Sequence, residues 1–173
     1  MRAKRQLFLP AFVSMVLGCS PALDWREYRP PAGGFSILLP QKPGQAERDL
    51  STPAGTARMR MYSARVGAHV FAAGYADFAA PPPPALIDGL RDALVRNIGG
   101  KVDSERAIVI GAGPAREFTA AGTLGQGKDA QPARMHARLF IRERRYFQLV
   151  SLGPAGVMAE TDIELFLGSF KAD

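Results

Sequence analysis

One cysteine, Cys19, and two histidines, His69 and His136, are all that 173 residues offer of the common metal- and redox-active side chains. A lone cysteine excludes a disulfide framework within the chain. Two histidines in a predicted turn and a predicted strand, without ligand spacing, give no zinc pattern. The motifs H-E-x-x-H, G-x-S-x-G, S-x-x-K and C-x-x-C are absent as well. No catalytic residue, metal ligand or cofactor is assigned, and the chain is not expected to be an enzyme. Charge of one sign is also in short supply. The formal +6 includes Arg2, Lys4 and Arg5, which lie in a segment expected to be removed; the remaining 19 basic residues face 16 acidic ones. So mild an excess argues against nucleic acid as a partner. No repeat is present either, which excludes solenoids and propellers.

What remains is an ordinary globular composition. The chain is 47% hydrophobic and 22% charged, which fits one domain able to bury a core without staples. Its 18 glycines and 14 prolines are scattered, the mark of a turn-rich fold.

Residues 1–20 read MRAKRQLFLPAFVSMVLGCS. A basic start precedes one apolar run from Leu7 to Gly18, shorter than the about 20 residues a membrane span needs. That is the layout of an export signal. Its end, Val16-Leu17-Gly18-Cys19, resembles the lipobox of bacterial lipoproteins. The resemblance implies that residues 1–18 are removed and that Cys19 is acylated, becoming the new N-terminus. Buried acyl chains contribute about 0.8 kcal/mol per methylene, so several chains anchor firmly. A plain secretory signal cut after Ala22 is the alternative. The expected location is the bacterial cell envelope, facing the periplasm, and Ser20 after the cysteine favours the outer membrane by the enterobacterial sorting pattern. Residues 19–33, with three prolines, read as a lipidated tether or an edge segment, with Trp25 and Tyr28 able to pack back.

The rest, 34–173, reads as a single α+β domain. Strands are expected at GFSILLP (34–40), more weakly at QAERDLS (45–51), at TARMRMYSARV (56–66) and at VFAAGYADF (70–78), with Gly67-Ala68-His69 as a turn. In the third of these, Met59 and Met61 fall on the core side. Pro84 opens a helix over 85–98 that carries Leu86, Leu90, Ala93, Leu94 and Ile98 on one stripe, with Asp92 and Arg96 one turn apart and Gly99-Gly100 as the stop. Four strand candidates follow at 101–110, 115–121, 133–143 and 146–152. A second helix over 157–170 buries Ile163, Phe166 and Leu167. This order predicts a twisted antiparallel sheet with two main helices packed on it.

The segments GGFSILLPQKP, YADF, LIDGLRDALVRNIGGKV, GPAREF, ARLFIRERRYFQLVSLG and FLGSFK together resemble the PsbP-like (Mog-type) family across residues 25–171. These are structural residues, and the resemblance implies a binding or accessory role.

Two glycine motifs imitate nucleotide sites. AIVIGAGPAREF (107–118) opens like a dinucleotide fingerprint, but Arg116 stands where the third glycine belongs, and a strand follows where a helix is needed. GTLGQGKD (122–129) matches part of a P-loop, but Asp129 replaces the magnesium-binding Ser or Thr. Both are expected to be hairpin turns, so no nucleotide should bind.

Two further constellations stand out. Asp77 and Glu117 could meet as paired carboxylates, although such residues more often pair with arginine. In ARMHARLFIRERRYFQL, Arg134, His136, Arg138, Phe140 and Arg142 share one strand face, opposite Met135, Ala137, Leu139 and Ile141. With a turn at Glu143 to Arg145, Tyr146, Gln148 and Val150 would lie beside the arginines. Arg134, Arg138 and Arg142 are the candidate binding face, for an acidic protein or membrane phosphates; Phe140 and Val150 imply that part of it is covered. The leading functional expectation is an envelope lipoprotein, anchored through Cys19, that binds an envelope protein or scaffolds an assembly. The alternative is a carrier of a small or lipidic ligand between sheet and helices, and a hydrolase is the third possibility.

Overall fold

A computed structural model describes residues 23–111 and 113–173. Cys19 and the export signal lie outside the described residues. Ten strands and two α-helices follow in chain order: β1 (Arg26–Tyr28), β2 (Phe35–Leu39), β3 (Gly44–Thr52), β4 (Gly55–Val66), β5 (His69–Asp77), α1 (Leu86–Asn97), β6 (Lys101–Ile110), β7 (Gly113–Leu124), β8 (Gln131–Arg142), β9 (Arg145–Pro154), α2 (Glu160–Gly168) and β10 (Lys171–Ala172). Seven strands form one antiparallel sheet in the order β3-β4-β5-β9-β8-β7-β6, and β1-β2-β10 form a small second sheet. The α+β class, the antiparallel sheet and both helices are as the sequence predicts.

Two cores lie on opposite faces of the large sheet. On one face, α1 covers Met59, Phe118, Met135, Leu139 and Tyr146 with Leu86, Leu90, Leu94, Val95 and Ile98. Burying each such leucine contributes roughly 1.5–3 kcal/mol, which makes the helix part of the domain and not an appendage. Asp92 pairs with its neighbour Arg91, not with Arg96. Met61 on this face is only partly buried.

The other face is shared. The small sheet covers β4 and β5, where Trp25 meets Phe71 edge-on at 5.4 Å and Tyr28 packs on Tyr62 at 5.2 Å. Helix α2 lies over β9 and β8 and sinks Ile163, Phe166 and Leu167 beside Phe35, Phe140 and Phe147. Residues 24–28, within the predicted tether, thus belong to the folded body: Asp24 donates its backbone N–H to Pro40, and β1 pairs with β2. Of the two alternatives for this segment, the edge strand is the one observed.

Two local expectations are corrected. His69 is not in the turn, which is only Gly67-Ala68; it is the first residue of β5 and is buried. The β8–β9 hairpin turns on two residues, Glu143 and Arg144, with Arg142 opposite Arg145. Glu143 takes the left-handed conformation, φ 55°, that lets so short a turn follow the strand twist. A loop one residue shorter than expected flips every side chain of β9. Leu149 and Phe147, not Tyr146, Gln148 and Val150, therefore share the face of Arg138 and Phe140.

Candidate functional site

Strand alternation and register decide which side chains converge. Arg134, His136 and Arg138 on β8 point to the α2 side. Opposite them on β7 stand Ala121, Thr119 and Glu117, and beyond on β6 Ser104 and Arg106. The small sheet and α2 cover β4, β5, β9 and part of β8, so the stretch of this face from Arg134 to Arg138 on β8 out to β6 stays open. The result is a cleft of about 680 Å³ with β6–β8 as floor and α2 as wall, where Glu160, Ile163, Glu164 and Leu167 look inward.

The floor is tightly paired. Glu117 accepts from Arg106 Nε at 2.6 Å and from Arg138 Nε at 2.5 Å. Burial alone would push this carboxyl upward, but the two guanidinium hydrogen bonds outweigh it and hold its pKa below the usual range. Arg138 also donates to the Leu167 carbonyl at 2.8 Å, satisfying one of the last unpaired carbonyls of α2. Arg134 pairs with Asp103 at 2.6 Å, and Ser104 and Thr119 share a hydroxyl hydrogen bond of 2.9 Å.

His136 is the unsatisfied group. It is nine-tenths buried, and its Nε2 lacks a hydrogen-bond partner, with Glu160 Oε1 3.8 Å away. Its pKa is lowered, chiefly by burial; Glu160 pulls the other way, and Arg134 adds to the lowering. The unpaired nitrogen is itself closed to solvent, so an incoming group would meet the arginine–carboxylate pairs that line the cleft around it and not the imidazole.

The three sequence-predicted arginines do not form one open row. Arg134 and Arg138 line the cleft, Phe140 beyond them is buried against Phe147 and Phe170, and Arg142 lies outside, donating to the Asp173 carbonyl at 3.3 Å. Asp77 and Glu117 do not meet either. Three strand spacings, roughly 14 Å, and four positions along the strands, roughly 13 Å, separate them, and Asp77 is held by Arg145 at 2.6 Å. Both carboxylates take the arginine-paired alternative.

Next to the cleft lies a pair that sequence reasoning missed. His69 Nε2 sits 2.7 Å from Ser151 Oγ, but Ser151 is fully buried and His69 Nδ1 has no orienting partner. A nucleophile needs both access and an oriented base, so this pair is structural. No group of three or more potential metal ligands gathers among the described residues. The glycine motifs resolve as turns: Ile110 pairs with Gly113 across a hairpin with Gly111 at φ 61°, and Gly127–Asp129 is one short 3-10 turn before β8. Neither is followed by a helix whose N-terminus could face a phosphate. Among the described residues no helix is long and apolar enough to cross a membrane.

No family model and no curated protein matches the chain. Solved structures do. Cyanobacterial PsbP (CyanoP) from Synechocystis sp. PCC 6803 superposes with a TM-score of 0.57 over 93% of this chain and 99% of its own, at 10% identity. The fold is PsbP-like. A protein from Bacteroides thetaiotaomicron VPI-5482 matches at TM-score 0.46 and 15% identity over 85% of this chain, which spans about half (48%) of that longer protein. PA94, a protein of unknown function from Pseudomonas aeruginosa, matches at 0.37 and 14% identity over 80% of this chain and 89% of its own. At 10% identity the likeness to CyanoP concerns the backbone alone, and the cleft must be read from its own residues.

Proposed function

We propose that this chain is an envelope lipoprotein, anchored through Cys19, that serves as a non-catalytic binding module, with an envelope protein seated in the cleft between α2 and β6–β8. The observation that carries the reading is the open cleft itself, floored by preorganised arginine–carboxylate pairs at Glu117 with Arg106 and Arg138, and at Asp103 with Arg134. The one serine–histidine pair nearby is sealed from substrate. Fixed pairs leave spare N–H donors and carboxylate lone pairs for a polar partner, without the entropy of ordering long side chains on binding. The anchoring half rests on the export-signal pattern and on chain length. Four residues lie between Cys19 and Asp24, five steps of chain with a reach of at most roughly 18 Å. That would keep the β4–β5 turn, at the same end of the sheet as Asp24, close to the bilayer.

A photo-crosslinking residue at Ser104, inside the cleft, tests the binding half in native envelopes, with exposed Thr56 on β4, near the opposite edge of the sheet, as control. One discrete adduct from position 104 and none from 56 is expected; equal adducts from both positions, or none, would refute a cleft-bound partner. Fatty-acid labelling tests the anchor: wild type should incorporate label and Cys19→Ser should not, and equal incorporation would overturn the lipoprotein reading.

A further inference from the structure

On the opposite face of the sheet a second depression runs between α1 and the β3–β4 hairpin, with a volume of about 340 Å³. Leu50, Pro53 and Ala54 form one wall, and Leu86, Leu90 and Ala93 form the other. Arg96 closes the end where α1 finishes.

Two features of this groove go beyond what the fold needs. Gly89 lies inside α1 and faces the groove, and nothing comes within 4 Å of where a Cβ would stand. Glycine is the weakest helix former after proline, and no packing contact here demands it. Its effect is to keep the groove open. The second feature is Arg96. The acidic residues of the helix, Asp88 and Asp92, both pair with Arg91, which leaves Arg96 without an ion pair among the described residues. An apolar channel that ends at a free guanidinium is complementary to one kind of small molecule: a single apolar chain with an anionic head.

We propose that this groove binds a free fatty acid, with its tail along Leu50, Leu86 and Leu90 and its carboxylate on Arg96. The run of α1 from Ala85 to Arg96 measures roughly 16 Å at 1.5 Å per residue, which suits a medium-length chain. Tail burial supplies the affinity and the charge-assisted hydrogen bond fixes the direction. The inference is independent of the α2 cleft, since the two sites lie on opposite faces and are read by different probes.

The test uses the full chain in its native membrane and a diazirine analogue of lauric acid, with adducts mapped by peptide mass spectrometry. Labelling should concentrate on residues 50–54 and 83–96. It should be competed by laurate and not by dodecyltrimethylammonium. A Cβ at position 89 meets nothing within 4 Å, so Gly89→Leu projects into the groove and improves helix propensity; it should fold at least as stably as wild type while losing label roughly tenfold. Arg96→Gln should lose label roughly threefold or more. Adducts located elsewhere, unchanged labelling in a folded Gly89→Leu variant, or equal competition by the cationic amphiphile would each overturn the proposal. Should Gly89→Leu fail to fold, Arg96→Gln decides, and unchanged labelling in that variant overturns it as well.

Discussion

His69 and Ser151, 82 positions apart in sequence, meet beneath the layer of α2 and the small sheet in a 2.7 Å hydrogen bond between His69 Nε2 and Ser151 Oγ. The space for the ring is made by Gly153, since a Cβ there would collide with the imidazole. Burial, with His136 nearby as a second cause, lowers the His69 pKa from 6.5 to about 4. The ring is therefore neutral in the folded protein at neutral pH.

That shift contributes to the acid stability. Below pH 6.5 the unfolded chain takes up a proton at this position that the folded chain refuses, so the His69 contribution falls as pH drops from about 6.5 to about 4 and levels off below, where protonation of Glu117 continues the loss. The difference corresponds to roughly 3 kcal/mol. His136, also lowered, adds to the loss in the same direction. Urea unfolding between pH 7.5 and pH 4 measures this, with His69→Asn as the comparison: the variant should lose most of the slope, and an equal slope in both would refute the assignment.

The helix stripe gives a second expectation. Leu90 is buried in the core between α1 and the sheet, so Leu90→Ala should destabilise the fold by about 2–5 kcal/mol in equilibrium denaturation. A change within error would mean that the side chain contributes no packing.

Third, neither glycine motif should bind a nucleotide. Both lie in hairpin turns followed by strands, which leaves no helix dipole for a phosphate. Millimolar ATP or FAD should leave the thermal midpoint unchanged; a rise of several degrees that is lost in Lys128→Ala or Gly113→Ala would contradict this.

The residues explain which parts of the architecture could be read in advance. Leu86, Leu90, Leu94 and Ile98 announce α1 because a 3.6-residue stripe and a closing Gly99 have few other uses. Strands β4 and β8 announce themselves by alternation. By contrast, β1 and β10 are three and two residues long and carry no period. The β8–β9 register was misread because Glu143 adopts a left-handed turn that glycine or asparagine would have signalled. The cleft was only half visible. Arg134 and Arg138 could be placed on one face, but Ser104, Glu117 and Glu160 reach it from two further strands and a helix that no local pattern links. His136 did carry a signal, a polar residue on a strand with an otherwise buried neighbourhood, but it gained meaning only from what packs around it.

The last expectation separates the three arginines that the sequence placed in one row. Arg138 is 20% exposed and joins Glu117 to the end of α2, so Arg138→Glu puts two carboxylates together and frees the Leu167 carbonyl. Loss of a half-buried pair should cost about 2–3 kcal/mol and loosen α2, between the values for exposed and buried pairs. Arg142 is exposed, with a 3.3 Å hydrogen bond to the Asp173 backbone oxygen and no ion pair among the described residues, so Arg142→Glu should change stability by less than about 0.5 kcal/mol and leave the Ser104 adduct intact. Arg134 is 42% exposed with Asp103 as its one carboxylate, so Arg134→Glu should leave the fold near wild-type stability while repelling a partner at the cleft mouth. The Ser104 adduct should therefore fall in Arg134→Glu, and the effect should be steepest at low salt, where screening is weakest. If the adduct instead follows Arg142 and ignores Arg134, the partner contacts the hairpin end of the sheet and not the cleft.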